Sequence, residues 1–156
     1  MTETPAAVPP QPAKDAKPLP VRILFSAAWG TLAIVVGAVI WGLVAYFANS
    51  VYVVIAFFLG MVIASAILLP LKPIHKGLAL LFLPLGIGAT LLSIVMGESL
   101  FTVLALMRDY QAAVPEALTA VVDNPVEILT AQDTVVSLVI GLIGGLIGYF
   151  ATWKDL

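Results

Sequence analysis

The sequence predicts an all-α membrane protein: four transmembrane helices, with short outer-leaflet helices between the third and fourth spans. Three observations predict it. Of 156 residues, 62% are hydrophobic and 10% charged, whereas a soluble domain carries roughly 25% charged residues. The apolar residues gather into four uncharged runs, at 23–48, 51–69, 78–96 and 134–153. Each run is close to or above the roughly 20 helical residues that cross a hydrocarbon core. The basic residues, finally, fall almost entirely to one side of those runs.

The elements are taken in chain order. Residues 1–20, "MTETPAAVPPQPAKDAKPLP", join prolines to small and polar companions. Such a segment buries too little apolar surface to offset its ordering entropy, so a disordered cytoplasmic tail is expected, with 21–156 forming the transmembrane domain. A cleaved signal peptide is not expected, because the apolar run after the tail is too long and lacks a small-x-small cleavage site. The first span, 23–48, exceeds the bilayer thickness and must tilt or project. Asn49 and Ser50 make a minimal turn, so 51–69 returns as an antiparallel neighbour and stops at Pro70. "PLKPIHKG", residues 70–77, is a basic loop. The third span, 78–96, carries a kink at Pro84 and is expected to end at "GES", with Glu98 or Ser99 capping the next helix.

Residues 97–133 form the outer segment. Val103, Met107, Tyr110, Val114, Leu118 and Val121 recur every three or four residues, the spacing of one helical face. Pro115 and Asn124–Pro125 each restart a helix, since proline fits a first turn. Two or three short helices along the outer leaflet are expected, as a lid over the bundle or a docking surface. The fourth span then begins near Asp133, a candidate cap.

Orientation comes from charge. Lys14, Lys17, Arg22, Lys72, Lys76 and Lys154 share one face and Arg108 alone lies opposite. The positive-inside rule assigns that face to the cytoplasm, so both termini are expected there, in a multi-pass protein of the cell membrane. The aromatic residues agree: Trp41, Tyr46 and Tyr52 mark the outer interface, Tyr149 and Trp153 the inner one.

"VIGLIGGLIGYF", residues 139–150, places Gly141, Gly144, Gly145 and Gly148 in one span. In hydrocarbon, helices associate through close van der Waals contact, and small residues permit the approach. These four glycines, with Gly30 and Gly37 of the first span, are the candidate helix-packing residues. The expected arrangement packs the fourth span on the first or third; association with another copy or another membrane protein is the alternative.

Little in the sequence points to reaction chemistry. No cysteine is present, so thiolate metal sites and cysteine nucleophiles are excluded. His75 is a lone imidazole without partners at metal spacing. No nucleophile–base pair or phosphate-binding loop can be assembled, and no basic patch suits nucleic acid. The spans hold no ionisable residue, and their Ser and Thr hydroxyls are expected to bond back to their own helices. No enzyme activity, cofactor or metal is expected.

The first hairpin offers a resemblance. Gly37, Trp41, Ala45 and Tyr46 set a Gly-x-x-x-Trp-x-x-x-Ala-Tyr pattern, and the second span has a Gly-containing apolar run near Gly60. This hairpin and the four-span layout resemble small bacterial tetraspan membrane proteins of uncharacterised function. The chain departs from that group at Asn49–Tyr52, where a glycine–glutamate turn is common, and it lacks the zinc-ribbon cysteines some members carry. The resemblance implies a bacterial membrane address without a mechanism.

The functional expectation is a non-catalytic structural or accessory subunit that packs through glycine-rich helices, with membrane lipids and itself or another membrane protein as partners. A small oligomeric channel or transporter component, or a lipid-binding protein, is the alternative.

Overall fold

The computed structural model describes residues 17–48 and 53–154. The expected tail through residue 16, the Asn49–Ser50 turn and Tyr52 lie outside the described residues. The described chain is built from helices, with no strand among its residues. Four of its helical segments, Leu19–Ala48, Val54–Leu71, Lys76–Asp109 and Gln132–Lys154, are long and apolar enough to cross a membrane.

α1 runs Leu19–Ala48 and starts earlier than the hydropathy alone suggested. Its first turn holds Pro20, where a missing N–H costs nothing, and the Pro18 carbonyl accepts the amides of Val21 and Arg22. α2, Val53–Leu68, passes into a 3₁₀ turn at Leu69–Leu71 that contains Pro70. After a short extended segment comes α3, Lys76–Ala79, capped by the His75 imidazole, whose Nδ1 accepts the Gly77 amide at 3.2 Å. His75 therefore has a structural task that its exposed position in the sequence did not announce.

A second 3₁₀ turn, Leu80–Phe82, leads into α4, Leu83–Asp109. Pro84 lies in the first turn of α4, so it starts a helix instead of kinking one. The helix does not end at residue 96. It continues through Gly97, Glu98 and Ser99, and Ser99 bonds back to the Val95 carbonyl at 2.8 Å rather than capping a new helix. Gln111, with φ 54°, then turns the chain.

α5, Val114–Asp123, and α6, Pro125–Thr130, both carry a proline in the first turn, as the sequence suggested. The Glu116 carboxylate accepts the Ala113 amide at 3.2 Å, satisfying a donor ahead of the first turn. α5 turns Ala117 inward and leaves Val114, Leu118 and Val122 exposed, one turn apart. α7, Gln132–Lys154, completes the bundle, with Asp133 in its first turn, where a negative charge suits the helix dipole.

The neighbour relations fix the architecture. Around the bundle the order is α1, α2, α7, α4, with the largest interfaces between α2 and α7 and between α1 and α4. Gly144 meets Phe57, Gly148 meets Met61 and Thr152 meets Ser65, a constant offset that makes α2 and α7 parallel. Ser93 bonding to Ile34, Trp41 to Glu98 and Arg108 to Tyr46 likewise make α1 and α4 parallel. The α1–α2 and α4–α7 pairs are antiparallel. The connection from α2 to α4 therefore crosses a diagonal at the end opposite α5 and α6, which is why α2 and α4 also touch.

Candidate functional site

Backbone contact between α2 and α7 dominates the interior. A β-carbon added at Gly144 would overlap the Phe57 carbonyl oxygen, and one at Gly60 would overlap the Gly141 carbonyl oxygen. At Gly148 it would lie 2.6 Å from the Met61 Cα, inside any real contact. Gly141 and Gly145 turn toward α4 as well: an added carbon would overlap Ile94 Cδ1 at the first and reach 3.2 Å from Thr90 Oγ1 at the second. In hydrocarbon, contact at such range supplies the attraction that water would otherwise provide.

The partner of the glycine-rich helix is thus chiefly α2, with α4 second. The first span, expected as one of the two candidates, is not its main neighbour. Gly30 and Gly37 face elsewhere. An added carbon at Gly30 would lie 2.9 Å from Ile67 Cγ1 of α2, and one at Gly37 would lie 2.8 Å from Ser93 Oγ of α4. The residue that sequence reasoning missed is Gly60. A signal existed, because Ala56, Gly60 and Ala64 repeat at intervals of four on α2, the same small-residue spacing as on α7.

Hydroxyl groups divide into two sets. Thr90 and Ser137 bond to carbonyls four residues back on their own helices. Others cross between helices, which the self-satisfying reading did not foresee. Ser26 donates to the Ile67 carbonyl at 2.5 Å, Ser93 to the Ile34 carbonyl at 3.0 Å, and Thr152 to Ser65 Oγ at 3.0 Å. Near the α3 end, the Arg22 guanidinium clips α1 to the carbonyls of Leu71 and Pro73. The Tyr149 hydroxyl reaches the Ala79 carbonyl there, and the Trp153 indole donates to the Lys76 carbonyl at 3.3 Å. Tyr149 is 1% exposed, so it is a clamp buried between helices.

Among the described residues one carboxyl is buried. Glu98 on α4 is 5% exposed, and the Trp41 indole of α1 donates to its Oε1 at 3.1 Å. Trp41, placed by sequence in an aromatic belt, is 1% exposed. Gly97 makes the approach possible, since a side chain there would overlap the indole. The Gly141–Ile94 and Gly145–Thr90 contacts set a register that puts Glu98 level with Ser137, about one turn inside the start of α7. Beyond it, a half-open pocket of about 320 Å³ lies between α4, α5 and α6, and its lining includes Thr102, Asn124 and Glu127. The Thr102 hydroxyl donates to the backbone carbonyl of Glu98 at 2.9 Å, a bond within α4 that does not involve the carboxyl.

Among the described residues no three His, Cys, Asp or Glu side chains gather at metal-binding range. The arrangement can hold helices in close register and keep one carboxyl out of bulk water. Comparison with protein-family models, with curated proteins and with solved structures finds no match.

Proposed function

We propose that this chain is a non-catalytic integral membrane protein of the bacterial cytoplasmic membrane, acting as a structural or accessory subunit. Both termini lie in the cytoplasm, and α5 and α6 rest on the outer leaflet. The observation that carries this reading is the backbone contact of α2 with α7. It closes the interior that a solute would need to cross, and it commits the glycines to internal packing. Partners then meet the outer faces, such as the exposed α1 ridge of Phe25, Trp29 and Leu32.

Purification from native membranes in mild detergent, followed by identification of bound chains and native mass spectrometry, tests the proposal. A stable complex with another membrane protein, or with further copies, is the expected outcome. A monomer that retains no partner overturns it. A transporter component is the second reading, and Glu98 is the observation in its favour, since carboxyls inside spans are costly and tend to serve function. Solute or ion flux in liposomes, abolished by Glu98→Gln, would select that reading.

A further inference from the structure

We propose that Glu98 is a proton-binding site inside the helix bundle. Three observations converge on it. The carboxyl is buried at the junction of α1, α4 and α7, its one side-chain partner is a neutral donor, the Trp41 indole, and no ion pair to it occurs among the described residues. A buried carboxylate left with a single neutral donor carries an uncompensated charge, which is strongly unfavourable. A proton on the carboxyl removes that charge and leaves Oε1 free to accept from the indole.

The surroundings favour a proton over a metal cation. The titratable group whose charge acts on Glu98 is Asp133 in the first turn of α7, while Glu127 of α6 lines the nearby pocket. α1 presents only the indole, and α2 carries no titratable side chain between 53 and 68. Among the described residues no three His, Cys, Asp or Glu side chains gather around Glu98, so a metal ion would find few anionic oxygens for the six or so ligands it requires. Glu98 lies about one turn inside the start of α7, so the carboxyl is close to that end of the bundle. Asp133 and Glu127 give that end of the bundle a negative character, which draws protons toward the site.

The test uses the full-length protein in proteoliposomes and dicyclohexylcarbodiimide, an apolar reagent that modifies protonated carboxyls and spares carboxylates. Peptide mass spectrometry locates the adduct. The expected result is modification at Glu98 in preference to exposed Glu116, with a rate that falls about tenfold per pH unit above the titration midpoint. A permanently ionised carboxylate that serves only as an acceptor for Trp41 would stay unmodified at neutral and mildly acidic pH, and this overturns the proposal. Protection by sodium or calcium at fixed pH also overturns it, in favour of a cation site. Infrared difference spectra supply an independent check: the protonated-carboxyl band of the wild type must vanish in Glu98→Gln.

Discussion

Gly144 of α7 sits directly on the carbonyl oxygen of Phe57 in α2, with no room between them for a methyl group. The contact is backbone to backbone, so no side-chain rotation can relieve an intrusion. Gly144→Ala and Gly60→Ala should each lower unfolding free energy by about 1–3 kcal/mol, the usual cost of overpacking. Gly88 is the control, since an added β-carbon there meets nothing within 4 Å. Gly88→Ala should be neutral or stabilising by up to about 1 kcal/mol. Reversible unfolding in mixed detergent micelles measures all three, and equal losses at Gly88 and Gly144 would refute the seam.

The Trp41–Glu98 bond makes a separate claim. Trp41→Phe keeps most of the ring volume but removes the donor, which should cost about 1–3 kcal/mol by leaving a buried acceptor unpaired. In Glu98→Leu that dependence should shrink. A double-mutant cycle reads the coupling directly, and strictly additive losses would show that the two side chains act independently.

Hydroxyls that cross between helices should matter more than those that do not. Ser93→Ala cuts a bond from α4 to α1, for which about 0.6 kcal/mol is the average in membrane proteins. Ser137→Ala removes only a bond within α7 and should leave unfolding unchanged. The same micelle assay ranks them, and the reverse order would contradict the assigned contacts.

Topology can be read with single cysteines, because the chain has none of its own. His75→Cys and Asp123→Cys mark opposite ends of the bundle. In intact cells an impermeant maleimide should label position 123 at once and position 75 only after the membrane is permeabilised. Labelling of position 75 in intact cells would invert the orientation.

The α5 helix exposes Val114, Leu118 and Val122 on one stripe and Thr119 on another. If that stripe enters the lipid interface, a bimane probe on Val114→Cys, about 140° around the helix from Thr119, should be shielded from aqueous quencher several-fold more than one on Thr119→Cys. Equal quenching would lift α5 off the membrane.

Four long apolar helices were legible because hydrocarbon thickness imposes a length that few other constraints imitate. The starts of α5 and α6 were legible for a similarly local reason, the proline in each first turn. The end of the third long helix was not. A glutamate after a glycine reads as a departure from the membrane, yet Gly97 lets Trp41 approach and gives Glu98 a partner on another helix. That information is split between residues 57 positions apart, and no local pattern carries it. The glycines of α7 showed that something packs closely there. Which helix does so depends on the diagonal crossing between α2 and α4, a tertiary matter. Gly60 was the missing half of the pair, visible only when its own four-residue repeat is set beside that of α7.

The pairing of α2 with α7 also orders events during biosynthesis. Translation finishes α1, α2 and α4 before α7 exists, yet the bare peptide groups around Gly60 take their closest contacts from Gly141 and Gly145. Until the ribosome delivers that closing helix, this stretch of α2 lacks the neighbour that covers it in the finished bundle.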